Sequence, residues 1–396
     1  MKVLQINSVC GVKSTGRICT DIAEVLKQNG HDCKIAYGRE KAPEKYKDIA
    51  VRIGSDLGVK MHAFSSRIFD NSGFGSKCAT GKFIKWVEEY DPDIIHLHNI
   101  HGYYINIEIL FDYIKKANKP VVWTFHDCWA FTGHCAYFDS ANCEKWKVGC
   151  QNCPLSKSYP KSIFWDNSKK NYENKKKLFS EIEQMSIVTP SQWLAEFVKK
   201  SFLSKYKVEV INNGIDINIF KPTQSDFREK FDLVNKKIIL GVATPWSKRK
   251  GLLDFIELSK RIKDDYKIVL VGLTDKQKEA LPDSIIGITR TNNAVELAEI
   301  YSAADVFVNP TYSDNYPTVN LEAQACGTPV ITYRTGGSIE SVPPDQVVDK
   351  GDLCSLQSKI YEICENEKSE VPDRSRFDKT ALFEQYLQLY KDLKRD

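Results

Sequence analysis

Two carboxylates eight positions apart, Asp314 and Glu322, mark the segment NPTYSDNYPTVNLEAQACGTPV that runs from residue 309 to 330. Asp314 falls in a loop after the apolar run DVFVNP, and Glu322 about one turn inside the helix that follows. Pro317 suits the start of that helix, where its missing N–H costs nothing. The backbone N–H groups of Thr318, Val319 and Asn320 would then be unpaired and, with the helix dipole behind them, attract an anion such as a diphosphate. Asn315 and Tyr316 complete the loop around it. Glu322 can accept two hydrogen bonds from a ribose diol, while Asp314 and the adjoining backbone can read sugar hydroxyls. The plainer alternative is a loop and helix start carrying surface acids.

A second chemical element is WSKRKG, residues 246–251, between the run IILGVAT and a helix that begins at Gly251. Cations at such a turn would neutralise a leaving diphosphate, and stabilising charge as it develops is commonly the largest catalytic contribution. Arg249 and Lys250 are the candidates, against a merely solvated basic turn. In TFHDCW, His126 sits at a strand end. HLHNIH carries His96, His98 and His101, and alternation puts His96 and His98 on one strand face. A structural role, a metal pair, and an acceptor-side role for His98 or Asn99 all fit that pattern.

The segment GHCAYFDSANCEKWKVGCQNCP, residues 133–154, gathers Cys135, Cys143, Cys150 and Cys153. A CxxC knuckle with two more thiols in one loop, and few aliphatic residues to order it, suits a structural zinc. His134 is a substitute ligand, and two disulfides or free thiols are the alternatives. The other eight of the 12 cysteines read as small buried hydrophobes.

These residues need a scaffold. KVLQINSV, the loop CGVKSTG, the helical pattern RICTDIAEVLKQNG and the run CKIAYG form a β-loop-α-β unit, which forces parallel pairing. DIIHLH and PVVWTFH continue it as buried strands. VEVINNGIDINIFKP marks a domain junction, after which the alternation restarts with IILGVAT, LLDFIELSKRI, KIVLVG, IIGIT, AVELAEIYSAA, DVFVNP, VNLEAQAC and PVITY. The expected class is α/β, with two doubly wound Rossmann-like domains that put the carboxyl ends of both sheets around one cleft. Residues 1–212 form the first, with 133–154 as a Cys-rich insertion, and 213–376 the second. Residues 377–396, after the polar stretch NEKSEVPDRS, form a helix that returns to the first domain.

The 396 residues are 42% hydrophobic and 27% charged, enough for two cores. Lys plus Arg number 56 against 52 Asp plus Glu, too small an excess for a DNA-binding domain. A basic stretch from Lys157 through Lys175 to Lys207 interleaves Phe164, Trp165 and Tyr172; it reads as a solvated face or as a contact for anionic lipid. No run of about 18 apolar residues exists and MKVLQINSV is too short for a signal peptide, so a soluble, cytoplasmic chain is expected. GVKSTG lacks the GxGxxG spacing of a nicotinamide enzyme.

INNGIDINIFKP, KRKG and SDNYPTVNLEAQACGTPVI followed by TGG together resemble the retaining glycosyltransferases of family 4, of GT-B fold and bacterial polysaccharide or lipid-linked glycan type. The resemblance implies a nucleotide-diphospho-sugar donor, UDP- or GDP-linked, on the C-terminal domain, a glycan or lipid-linked acceptor on the N-terminal domain, and no divalent metal in the transfer. It also implies that the final helix returns to the first domain, while peripheral contact with the inner face of a membrane rests on the basic stretch and its aromatics. Asp314 and Glu322 match the family's paired acids, although the first is usually Glu. Lys250 matches the lysine before Gly251, and Arg249 stands in for an arginine the family carries earlier. Gly16 matches a glycine near the diphosphate, Ser14 and Thr15 could add hydrogen bonds, and His126 matches a histidine facing the donor sugar. An epimerase of the same fold, acting on the donor alone, is the alternative.

Overall fold

A computed structural model of the chain describes residues 1–366 and 373–395. The chain divides into two compact units, one of residues Met1–Asn212 with Thr380–Asp396 and the other of Asn213–Lys379. The middle of NEKSEVPDRS lies outside the described residues.

In the first unit, strands β1 (Lys2–Asn7), β2 (Asp32–Tyr37), β3 (Ala50–Arg52), β4 (Ile94–Leu97), β5 (Val121–Thr124), β6 (Met185–Thr189) and β7 (Lys207–Val210) form one parallel sheet. Their order is β3-β2-β1-β4-β5-β6-β7. β4, β5 and β6 are buried at every residue, because helices cover both faces of the sheet. One face holds Ile6, Leu97, Phe111, Trp123 and Phe179. The other is closed by the Lys13–Gln28 helix and by the last helix, Lys379–Arg395, which adds Phe383, Tyr386 and Tyr390 to Val3, Ile22 and Ile94.

That last helix is also held by polar contacts. The Tyr390 hydroxyl meets His96 Nδ1 at 2.6 Å, and the Tyr386 hydroxyl meets Thr124 Oγ1 at 3.0 Å. His96 Nε2 takes Thr124 Oγ1 at 2.8 Å, so both ring nitrogens of this fully buried histidine are engaged. The buried position of His96 explains its pairing, since an unmatched ring nitrogen there would lose its hydration without replacement.

The second unit repeats the winding with β8 (Lys237–Val242), β9 (Tyr266–Val271), β10 (Ile285–Ile288), β11 (Val306–Asn309), β12 (Val330–Tyr333) and β13 (Val347–Val348), in the order β10-β9-β8-β11-β12-β13 and parallel throughout. In both units the strand order reverses beside the first strand, between β1 and β4 and between β8 and β11. Loops that leave the carboxyl ends of those strand pairs are therefore neighbours, the place where open α/β sheets bind ligands.

One expected boundary moves. The helix read from Arg17 onward begins at Lys13, so Ser14, Thr15 and Gly16 belong to its first turn and not to a glycine-rich loop. Among the described residues no helix is long and apolar enough to cross a membrane.

Candidate active site

Pairing of β8 with β11, with Val306 opposite Ile239, brings the loop after each strand side by side. Tyr312 N–H donates to the Arg249 carbonyl at 2.8 Å, and an Arg249 guanidinium N–H donates to the Ser313 carbonyl. Gly251, at φ +75°, makes this approach feasible: a Cβ there would stand 2.3 Å from the Pro310 carbonyl oxygen. The result is an ion pair at the end of the sheet. Lys250 Nζ lies 2.5 Å from Asp314 Oδ2, with both side chains mostly buried. Asp314 Oδ1 accepts from Asn315 N–H at 3.0 Å. Burial opposes ionisation of Asp314, but the charges of Lys250 and Arg249 and these hydrogen bonds outweigh it and hold the carboxyl below its usual range.

Behind Asp314 a second glycine turn closes the loop. Gly337 N–H donates to the Asp314 carbonyl at 3.1 Å, and a Cβ on Gly336, at φ +52°, would fall 2.1 Å from that same oxygen. The Gly-Gly of TGG thus fixes the backbone that carries Asp314, a role that spacing alone does not reveal.

The helix Thr318–Ala325 starts behind Pro317, which stands at its cap in extended conformation. Asn320 corrects the expectation of three unpaired N–H groups: its N–H donates to the Pro317 carbonyl at 3.1 Å. Its side chain also turns inward, accepting from Asn309 Nδ2 at 2.8 Å and donating to Ser341 Oγ at 2.8 Å. Thr318 and Val319 supply the N–H groups at the helix end that the helix's own bonding pattern does not use. Glu322 is 4% exposed, and its Oε2 accepts from the Tyr301 hydroxyl at 3.0 Å. Tyr316 offers its carbonyl to Asn213 Nδ2 at 2.9 Å. Arg249, Lys250, Asp314, Asn315 and the helix start therefore form one cluster of fixed charges and backbone donors, able to hold a phosphorylated ligand and compensate charge on it.

The first unit gathers a different set. Gln5 Nε2 donates to the Cys19 carbonyl at 2.8 Å, which turns Gln5 Oε1 toward His98 Nε2 at 3.0 Å. His98 Nε2 must then carry the proton, so His98 Nδ1 accepts, and His126 Nε2 donates to it at 3.1 Å. The network assigns the remaining nitrogen of His126, Nδ1, as the basic one. Burial pushes the His126 imidazolium down to about 4, with Asp127 opposing and His101 assisting; burial likewise drives His98 and His96 well below their ordinary value. These imidazoles are neutral at pH 7 and act as hydrogen-bonding dipoles.

Beside them stands a pair that the sequence reading passed over. His101 Nε2 lies 2.9 Å from Asp127 Oδ2, and His101 Nδ1 lies 3.2 Å from the Tyr159 hydroxyl. Burial opposes the charge on Asp127, but His101 and the Trp129 N–H, 2.9 Å from Oδ1, hold its carboxyl below the usual range. His98, Asn99, His101, His126 and Asp127 line one small recess. Asn7 ties in two more expected residues: Oδ1 accepts from Asn99 N–H at 3.3 Å, and Nδ2 reaches Thr15 Oγ1 at 3.4 Å. Ser14 is exposed and Gly16 is buried within the helix. Asp127 follows His126 directly in sequence, and the HDxW order was the signal that could have found it.

Comparison with known proteins places this geometry. The family model of Glycosyltransferase Family 4 matches residues 15–219 and that of glycosyl transferases group 1 matches residues 223–382. A protein of Escherichia coli (strain K12) named for glycosyl transfer in colanic acid biosynthesis, WcaC, is 24% identical over 99% of this chain and 100% of its own length. The N,N'-diacetylbacillosaminyl-diphospho-undecaprenol alpha-1,3-N-acetylgalactosaminyltransferase of Campylobacter jejuni is 27% identical over 50% of this chain and 57% of its own. Among solved structures, the sucrose-phosphate synthase of Thermosynechococcus elongatus superposes with a TM-score of 0.71 at 18% identity, covering 99% of this chain and 98% of that one. HepE of Anabaena, solved in complex with UDP, superposes at 0.68 with 15% identity, covering 99% and 100%. Two doubly wound parallel sheets with these neighbours make the fold GT-B, and the expectation of an epimerase finds no support in the family. With its first half matched by that family model and its second by the companion one, the chain belongs to Glycosyltransferase Family 4 and is a glycosyltransferase.

Proposed function

We propose that the enzyme transfers a sugar, with retention of configuration, from a UDP- or GDP-sugar held on the Asn213–Lys379 unit to a hydroxyl of a glycan or lipid-linked glycan held on the other unit. The single observation that carries this reading is the Lys250–Asp314 ion pair at 2.5 Å, set at the head of the helix that presents Glu322. Glu322 accepts the ribose diol. The N–H groups of Thr318 and Val319 take the diphosphate, with Asn315 and Tyr316 around it. As the glycosidic bond breaks, Lys250 and Arg249 face the growing negative charge, the work a divalent ion would otherwise do. No metal is therefore required in the transfer. Asp314 lies where it can accept from the donor sugar through the lone pairs its present bonds leave. The leaving diphosphate takes the proton of the incoming hydroxyl on the same face, which retains configuration without a covalent intermediate.

On the first unit, His126 offers Nδ1 to the donor sugar, and His98 holds His126 in that tautomer. Asn99, Thr15 and Ser14 are assigned to the acceptor, and Gly16 to the diphosphate side. Placement in polysaccharide assembly follows the names of the relatives. Contact with the inner face of a membrane is supported by an apolar strip: Leu57, Met61 and Phe64 are more than half exposed on the Asp56–Phe69 helix, as are Phe164 and Trp165. The two segments adjoin, since Ile163 N–H donates to the Arg67 carbonyl at 2.8 Å. Tyr172 and Lys175 leave that surface, because both are buried.

A thermal-shift screen against UDP- and GDP-sugars tests the donor: a ligand at a hundred times its dissociation constant adds about 2.7 kcal/mol. Transfer assayed with and without EDTA, and the anomeric configuration of the product read by NMR, test the remainder. A product of inverted configuration, or turnover abolished by EDTA and restored by magnesium or manganese but not by zinc, would overturn it.

A further inference from the structure

Residues 133–154 bring together three polar features that nothing in the transfer chemistry uses. Cys135, Cys143, Cys150 and Cys153 all line one small recess, and none forms a disulfide. The thiols of Cys135 and Cys153 hydrogen-bond each other, and Gly133 N–H points at Cys150 Sγ from 3.2 Å. On the same recess lies His134, whose Nδ1 is held 2.5 Å from Asp70 Oδ1 while its Nε2, equally buried, has no hydrogen-bond partner. The third feature is Lys175, 1% exposed. Its ammonium donates to the carbonyls of Trp129 at 2.8 Å and Thr132 at 3.0 Å and sits 3.3 Å over the Trp129 ring. Among the described residues it has no carboxylate at ion-pair distance, so its buried charge lacks a counter-ion.

One buried anion would resolve all three. We propose that Cys135, Cys143, Cys150 and Cys153 bind a single zinc ion as thiolates, with Lys175 and the Asp70–His134 pair as the positioning groups that face it. The ion displaces one proton from each of the four thiols, and the resulting centre carries a double negative charge. Lys175 supplies the compensating positive charge, and His134, whose Nδ1–H is committed to Asp70, donates to a coordinated sulfur through Nε2 once the ring carries its second proton. Carboxylate-held histidines and buried donors are the usual outer layer of such sites. Among the described residues no three His, Cys, Asp or Glu side chains already stand as a finished cage, so binding draws the thiols inward across the recess they share. The loop has Trp146 and Phe138 as its packing, and the ion fastens its two ends, Cys135 and Cys153, together.

The experiment uses the full chain purified under reducing conditions without added metal. Elemental analysis should find about one zinc per chain, and exchange for cobalt(II) should give the intense sulfur-to-cobalt absorption of a tetrathiolate. Cys150→Ser should lose the ion, whereas Cys354→Ser, exposed in the other unit, should keep it. Where Cys150→Ser fails to fold, Lys175→Met and His134→Gln decide: each should retain the ion with about 10- to 100-fold weaker affinity. A folded, zinc-free chain in which all four thiols react with a thiol reagent would overturn the proposal. So would a mass lower by four hydrogens, which means two disulfides, or a cobalt spectrum of three sulfurs and one nitrogen, which seats His134 in place of Cys143.

Discussion

The two units share a winding order and differ in the chemistry their switch points carry. All seven histidines of the chain lie in residues 1–212, and residues 213–379 contain none. At the β8–β11 switch point the polar groups are Lys250, Arg249, Asp314 and Glu322, of which Asp314 is held ionised by its neighbours. At the β1–β4 switch point they are neutral imidazoles chained through Gln5, His98 and His126, beside the carboxylate of Asp127, which is paired with His101. One sheet end is suited to holding and compensating permanent charge, the other to orienting uncharged hydroxyls. The lesson is that a repeated fold says where a ligand sits, while the residue types at each switch point say which half of a reaction belongs there.

Lys250→Ala attacks the charged half where the effect should be largest. It removes the cation nearest Asp314 and should lower turnover about 100- to 1000-fold, with donor KM changing less than about tenfold. Steady-state kinetics in both substrates measures it, and an unchanged turnover number would break the division of labour.

Acidification tests the neutral half. His126 and His62 are both held down to about 4 by burial, against an unfolded value near 6.5. Between those values the unfolded chain binds protons that the folded one refuses, so stability is complete above pH 6.5 and falls as pH drops toward 4. His96 and His98, lowered further, act in the same sense. A loss of about 2 to 3 kcal/mol per histidine, or about 5 kcal/mol for His126 and His62 together, is expected on going from pH 7 to 4.5. Six of the seven tryptophans lie in the histidine-bearing unit, so thermal melts followed by tryptophan fluorescence report it. A melting temperature flat across that range would contradict the neutral-imidazole description.

Glu322→Ala sharpens the contrast within the charged half, because it should act on binding and not on charge development. Loss of a charged acceptor for the ribose should weaken donor affinity about 10- to 100-fold, or about 1.5 to 3 kcal/mol. Donor titration by calorimetry checks it, and normal affinity would remove Glu322 from the site. The smallest effect belongs to Tyr390→Phe. It deletes one hydroxyl from His96 and should cost about 1 kcal/mol and a few degrees of melting temperature, leaving donor affinity unchanged.

Much of this architecture was legible because buried parallel strands announce themselves. DIIHLH, PVVWTFH and PVITY are continuous apolar runs, and their positions in the sheets follow. β3 and β13, at three and two residues, are too short to show any period. β6, MSIVT, was missed because Ser186 and Thr189 interrupt its apolar character, although both are buried. The early start of the Lys13–Gln28 helix was hidden by KSTG, which reads as a turn until packing decides it. In the charged site Lys250, Asp314 and Glu322 were readable from spacing, since each sits a fixed number of residues from a strand end. Gly336, Gly337, Tyr301 and Asp70 act across the fold on residues far away in sequence, and no local pattern points to such a partner. Lys175 misled for the same reason: among neighbouring lysines nothing distinguishes the one whose ammonium points inward.

The last helix gives the molecule an order of assembly. Phe383, Tyr386 and Tyr390 complete a face of the first sheet, yet a ribosome reaches them only after residues 213–379 have been made. During synthesis the second unit can close while the first still shows Val3, Ile22, Ile94, His96 and Thr124 to solvent. The first unit to be translated is thus the last to finish folding, and its apolar face stays exposed for the time needed to translate the other. Domains generally complete in the order of synthesis, and prolonged exposure of such a face invites association with other nascent chains. A chaperone that shields apolar surface would meet this chain at that face, and its release would coincide with arrival of Tyr386 and Tyr390.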